Sequence, residues 1–161
     1  MENENIVALD FYSSKYKSIL EHYFLLEEQV NFTSLPLDAI KQCEQDDDRH
    51  PIVILYNHEL AGFFVLHGWE GVKEFSTNKE AILLRAYSVN HAYQGKGIAK
   101  NSLKLLPAFV KENFPDKKEI ILAVNINNKI AQQVYRKCGF KDKGIRAMGR
   151  NGELLIYHLA L

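Results

Sequence analysis

The stretch Ile82-Leu-Leu-Arg-Ala-Tyr-Ser-Val-Asn-His-Ala-Tyr-Gln-Gly-Lys-Gly-Ile-Ala-Lys-Asn101 decides the fold. An apolar, β-prone run from Ile82 to Val89 leads into the turn Gln94-Gly95-Lys96-Gly97-Ile98-Ala99, and a helical pattern follows. The first amides of a helix have no intrahelical partner, and the helix dipole favours negative charge there. Gly95 and Gly97 let backbone amides approach an anion closely. Strand, glycine turn and helix start therefore predict a phosphate-bearing ligand. A magnesium-triphosphate loop would need Ser or Thr after Lys96, where Gly97 stands. A dinucleotide fingerprint would need a third glycine at a spacing this turn does not fill.

Downstream, the helix should cover about Gly97 to Asn113, with Pro107 as a kink. Glu119–Val124 is a second β-prone run, expected to lie parallel to the first across a right-handed crossover. A short helix follows from Lys129 to Cys138, stopped by Gly139, and the chain closes with a hairpin turning at Asn151-Gly152. Upstream, Ile6–Leu9 reads as a first strand and Ser13–Glu28 as one helix, with Tyr16, Ile19, Leu20, Tyr23 and Phe24 at helical steps. Pro36 opens a second helix running to about Gln45. Asp46-Asp47-Asp48 reads as a solvated loop, Ile52–Trp69 as a hairpin, and Gly68–Lys79 as a loop or strand extension. His67 reads as a satisfied or exposed histidine rather than a cleft residue.

The 161 residues suit one domain, 1–161, with its own core. Net charge is zero, which gives no argument for nucleic acid or an anionic membrane surface. No apolar run is long enough to span a bilayer, and the first residues, Met-Glu-Asn-Glu-Asn, lack the pattern of a secretory signal. Cys43 and Cys138 stand far apart without metal-ligand spacing, so the expectation is a cytoplasmic protein with free thiols and no metal.

Gln94–Ala99 resembles the pyrophosphate-binding turn Gln/Arg-x-x-Gly-x-Gly/Ala of the GNAT superfamily of acyl-CoA-dependent N-acyltransferases. A second match lies downstream at the expected distance. Asn125-Ile-Asn-Asn128-Lys-Ile-Ala131-Gln-Gln-Val-Tyr135-Arg-Lys-Cys-Gly139-Phe140 is similar to that family's Asn-x-x-Ala-x-x-x-Tyr-x-x-x-Gly-Phe signature. The element order agrees over nearly the whole chain. The resemblance implies an α/β (α+β) fold: a mixed, mostly antiparallel sheet of about seven strands, about four flanking helices and one splayed parallel pair of strands.

It also implies a site. Acetyl-CoA is the co-substrate, with its arm between the splayed strands against the backbone of Tyr87, Ser88 and Val89. The amides of Gln94, Gly95, Lys96, Gly97, Ile98 and Ala99 hold the pyrophosphate; Asn125, Asn128 and Ala131 complete the coenzyme contacts. Tyr135, seven residues after Asn128 on the same side of the helix, protonates the departing thiolate. Many family members carry a glutamate on the central strand as base; here Ile82–Val89 holds no carboxylate, and Glu80 at its start is the nearest. Cys138 has no histidine partner in the motif and does not read as a nucleophile. The acceptor, a small-molecule or peptide amine, should meet Tyr23, Gln29, Phe32, Thr33, Arg85 and Tyr157 between the first two helices and the last hairpin. A monomer or homodimer is expected. The competing reading is a non-catalytic acyl-CoA sensor.

Overall fold

The computed structural model describes residues 6–161, so the reading of the first five residues lies outside the described part. Seven strands form one sheet: β1 Val7–Phe11, β2 Arg49–Tyr56, β3 Glu59–His67, β4 Ala81–Val89, β5 Glu119–Asn125, β6 Lys141–Gly149 and β7 Gly152–Ala160, in the order β1-β2-β3-β4-β5-β7-β6. Every neighbouring pair is antiparallel except β4–β5. The helical segments are α1 Lys17–Leu20, α2 Glu27–Val30, α3 Pro36–Glu44, α4 Trp69–Val72, α5 Ile98–Asn113 and α6 Lys129–Lys137. α5 joins the two parallel strands and runs unbroken through Pro107.

The central strands are apolar without alternation because both faces are covered. Ile52, Ile54, Phe64, Leu66, Ile82 and Leu84 pack with Leu103, Leu106 and Val110 of α5. Their sequence neighbours Val53, Phe63 and Val65 pack on the opposite face with Leu20, Tyr23, Ala39 and Ile40.

Two expectations are corrected here. The single helix over Ser13–Glu28 is broken into a 3-10 turn, α1 and α2. The helical periodicity is real, but tertiary bonds override it: the Phe24 amide donates to Asn90 Oδ1 and the His91 amide donates to the Phe24 carbonyl. Both fix Phe24 to the end of β4. The stretch Gly68–Lys79 contains α4, whose Glu70 amide donates to Asp48 Oδ2. The helix count is thus six among the described residues, not about four.

The feature that makes room for a site is in β4. Its pairing with β5 covers Ala81↔Glu119 to Leu84↔Leu122 and then stops, although β4 continues to Val89 and β5 to Asn125. On its other edge β4 carries a bulge: Phe63↔Ser88 and Val65↔Arg85 leave one extra residue on β4. Ala86 takes φ +55 there, a left-handed conformation costing an alanine about 1–3 kcal/mol. The bulge turns β4 away from β5 and leaves their facing edges, from Arg85 and Ala123 onward, without ladder partners.

Gly62 sits against this bulge. A Cβ there would lie 2.9 Å from the Ser88 carbonyl oxygen and 2.8 Å from Ile54 Cδ1. The Ser88 contact is backbone and cannot rotate away. Gly62→Ala should therefore destabilise the fold by about 1–3 kcal/mol, as overpacking does. Urea denaturation would show this as a lower midpoint at unchanged slope.

Candidate active site

The space opened by the splay is a cleft of about 790 Å³. Its walls are β4 from Leu84 to Val89, β5 from Leu122 to Asn125, the turn and first residues of α5, the start of α6 as far as Tyr135, and Glu28, Gln29, Phe32 and Thr33 from α2 and the loop after it. The cleft therefore runs from the glycine turn, through the splay, to α2.

The glycine turn is held by its own side chains. Gln94 Nε2 donates to the Val89 carbonyl at 2.9 Å, and Asn90 Oδ1 accepts from the Ala92 amide. Gly95 and Gly97 have φ of +83 and +77, so both need glycine for conformation as well as for access. Around Gly95 a Cβ would meet nothing within 4 Å, and around Gly97 only the Asn101 amide nitrogen at 3.7 Å. The residues of the first α5 turn line the cleft, and their amides have no acceptor among the described residues, the arrangement that suits a phosphate.

At α6, the Asn128 side chain accepts from the Ala131 amide at 3.3 Å and caps the helix. Gln132 Nε2 donates to the carbonyls of Asn125 and Ile126, and Asn125 Oδ1 accepts from the Asn127 amide. These bonds fix the start of α6 to the end of β5. Tyr135 is held by its ring, edge-on to Tyr87 at 6.2 Å and to Phe140 at 5.8 Å. Its hydroxyl has no hydrogen-bond partner among the described residues, and burial pushes its pKa well above the usual tyrosine value. Tyr87 differs: its hydroxyl donates to the Ala99 carbonyl at 3.2 Å and pairs with Ser102 Oγ at 2.5 Å, tying β4 to α5.

A profile described as the acetyltransferase (GNAT) family matches residues 16–140. The chain belongs to the GNAT acetyltransferase family. It is similar to the uncharacterized N-acetyltransferase YbbJ of Bacillus subtilis (strain 168), with 42% identity over 153 residues, 94% of this chain and 96% of that protein. It is 30% identical over 124 residues to a probable spermine N(1)-acetyltransferase of Bacillus subtilis subsp. natto, covering 77% of each. Its fold matches the aminoglycoside acetyltransferase AAC(6')-Ib solved with coenzyme A and kanamycin, at a TM-score of 0.77 and 16% identity over 96% of this chain and 95% of that one. This GNAT chain is an acyl-CoA-dependent N-acetyltransferase.

Within the GNAT site, the cleft brings together Tyr87, Ser88, Val89, Gln94, Gly95, Gly97, Ile98, Ala99, Asn125, Asn128, Ala131 and Tyr135 from the coenzyme set, and Gln29, Phe32, Thr33 and Arg85 from the acceptor set. Lys96 is exposed on the turn and does not line the cleft. Three expectations are corrected. Glu80 is exposed before β4, its amide donating to Asn78 Oδ1 and its carbonyl accepting from the Lys118 amide; it does not line the cleft. Tyr157 is fully buried, with Arg136 Nη1 donating to its hydroxyl at 2.7 Å, so no acceptor can touch it. Tyr23 is likewise buried, its hydroxyl paired with Ser88 Oγ.

The final hairpin does not line the cleft either. Asn151 Nδ2, at its turn, donates to the Asn31 carbonyl and braces the loop that carries Phe32 and Thr33. One residue was missed: Glu28 is the cleft's one carboxylate among the described residues. Nothing in its local sequence marks it, since it reads as one of two adjacent glutamates on a helix, and only the tertiary fold turns it toward the site.

Replacing Gly97 by Glu would force a side chain onto a positive φ and set a carboxylate against the anion site. Isothermal calorimetry should record acetyl-CoA affinity at least about tenfold weaker than wild type. Equal affinity would remove the turn from coenzyme binding.

Proposed function

We propose that the protein transfers the acetyl group of acetyl-CoA to a primary amine of a small molecule by direct attack in a ternary complex. The observation that carries this reading is Tyr135: a hydroxyl without a partner among the described residues, in the cleft that also holds the free amides of the α5 turn and the unpaired edge of β4. Spermine is the substrate named for one relative and kanamycin is bound in another, which supports an amine acceptor here.

In the proposed reaction the pyrophosphate rests on the amides after Gly97, and the coenzyme arm pairs with the β4 edge beyond Leu84. The amine nitrogen attacks the thioester carbonyl carbon, and a β4 amide beside the Ala86 bulge donates to the developing oxyanion. The C–S bond then breaks, the thiolate takes the proton of Tyr135, and the proton released by the attacking nitrogen restores the phenol through water. Burial keeps the phenol protonated at neutral pH, so the proton is in place when the thiolate departs. The ammonium form of the acceptor must lose a proton before attack. With Glu80 outside the cleft, Glu28 is the carboxylate available, directly or through water. Holding the two reactants in one cleft supplies much of the rate. The free thiols Cys43 and Cys138 support a cytoplasmic protein, working as a monomer or homodimer.

Tyr135→Phe deletes one oxygen and keeps the ring contacts to Tyr87 and Phe140. Because that oxygen has no partner among the described residues, the melting temperature and acetyl-CoA affinity should hold. kcat should fall about a hundred- to ten-thousandfold, and kcat/KM for the amine with it. Steady-state thiol release beside thermal melts checks both halves. Full turnover in the Phe variant would leave thiolate protonation to water.

A further inference from the structure

Arg85 is a cation that the fold prepares and leaves without a carboxylate. It lies at the start of the β4 bulge, on the face of the sheet opposite α5, and lines the cleft on the side of Gln29, Phe32 and Thr33. It is half-buried, and it forms no ion pair with any carboxylate among the described residues. Its one hydrogen bond is from Nη1 to His67 Nδ1, at 3.0 Å. A guanidinium has five N–H donors, so four of Arg85's have no partner among the described residues. Withdrawing such a charge from water without a partner is costly, and the fold bears this cost beside an acceptor site.

The support behind Arg85 fixes its direction. His67 is 2% exposed, and its Nε2 lies 3.1 Å from Asp46 Oδ2. The carboxylate must accept, so Nε2 carries the proton and Nδ1 presents its lone pair to Arg85. Asp46 is itself held by the Asp48 amide and by Arg49 Nε. The Asp46–His67–Arg85 chain therefore fixes one guanidinium nitrogen and leaves the others without a partner among the described residues. Asp46 is already shared between Arg49 and His67 and does not reach Arg85 as an ion-pair partner. Arg49 adds a second cation to the surroundings, while Glu74 and Asp46 attract Arg85 without forming an ion pair with it among the described residues.

The charge lining the cleft has a matching sense. Arg85, Lys100 and Lys129 are cations, and Glu28 is the one carboxylate among the described residues. Lys100 and Lys129 belong to the helix starts at the coenzyme end; Arg85 belongs to the acceptor end. A polyamine entering there would bring several ammonium groups to one carboxylate and a fixed cation.

We propose that the acceptor amine carries an anionic group, a carboxylate or a phosphate, and that Arg85 binds it while the amine is directed toward the thioester. This deepens the acetyl-transfer reading above and rests on it. Arginine meets both anions through two parallel N–H bonds, so it sets the acceptor's orientation as well as its affinity.

Amines and their anion-bearing twins test it: cadaverine against L-lysine, phenethylamine against L-phenylalanine, ethanolamine against phosphoethanolamine, with spermine as the polycation. Thiol release gives kcat/KM for each, and calorimetry on acetyl-CoA-free, coenzyme A-saturated protein gives binding where turnover is absent. In wild type at least one anionic member should exceed its neutral-tailed twin about tenfold or more, in turnover or in binding. The phosphate pair and the carboxylate pairs separate the two anions. Arg85→Gln should collapse that preference to within about twofold while leaving coenzyme A affinity unchanged, and Arg85→Lys should keep part of it.

Wild type favouring spermine or the uncharged-tail twins would overturn the proposal without any variant, and so would a preference that survives in Arg85→Gln. If no amine is acetylated but the anionic twins still bind through Arg85, the acetyl-transfer reading fails and the anion site stands. If turnover occurs with no anionic preference, the reverse holds.

Discussion

The structure depends on a pairing that stops. β4 and β5 lie side by side as parallel strands only as far as Leu84 and Leu122. Beyond that point their facing edges have no ladder partner, although buried backbone amides and carbonyls ordinarily find one. The break is enforced from the other side. The extra residue at Ala86 bends β4, and Gly62 allows β3 to follow the bend at close range. The strain of a left-handed alanine is thus located where a ligand strand can take the place of the missing neighbour. Gln94 reaches back to the Val89 carbonyl, so the glycine turn moves with the end of β4 rather than as a free loop.

Much of this was legible in the sequence, for identifiable reasons. The strand, turn and helix around Gly95 and Gly97 carry their conformation in residue types that need positive φ, and both glycines have it. Asn128 is of the residue type that caps helices, and it caps α6. The parallel pair follows from strand–helix–strand order. Where the reading failed, long-range bonds decided. Residues 13–28 have helical periodicity, but Asn90 and His91 hold Phe24 out of a helix. The triple aspartate reads as solvent-facing, but Asp46 fastens His67 and Arg49, and Asp48 fastens α4. Tyr157 alternates onto the α5 face of β7 and is sealed in the core. Glu28 and the unpaired state of Arg85 are set by which segments meet at the cleft, and local patterning carries no trace of that.

The electrostatics of the molecule are equally positional. A chain with zero formal charge places three cations and one carboxylate, among the described residues, around its cleft. Burial acts in opposite directions on Tyr135, which lines the cleft, and on His67 behind Arg85. It raises Tyr135 and keeps a proton on the phenol; it lowers His67 and keeps the ring neutral. The sign for stability follows from the second case. Below the usual histidine value of 6.5, the unfolded chain takes up a proton that the folded ring resists, so this group costs stability as pH falls through that range. A neutral His67 is also what lets Nδ1 accept from Arg85.

The central claim is that the unpaired edge of β4 and the first amides of α5 are the coenzyme site. Amide hydrogen exchange followed by NMR with and without acetyl-CoA tests it residue by residue. The account predicts that acetyl-CoA slows exchange within Arg85–Val89 and at Ile98, Ala99 and Lys100, while Ala81–Leu84, already paired with β5, changes little. Exchange unchanged at the edge and the turn, with protection appearing elsewhere on the molecule, would contradict it.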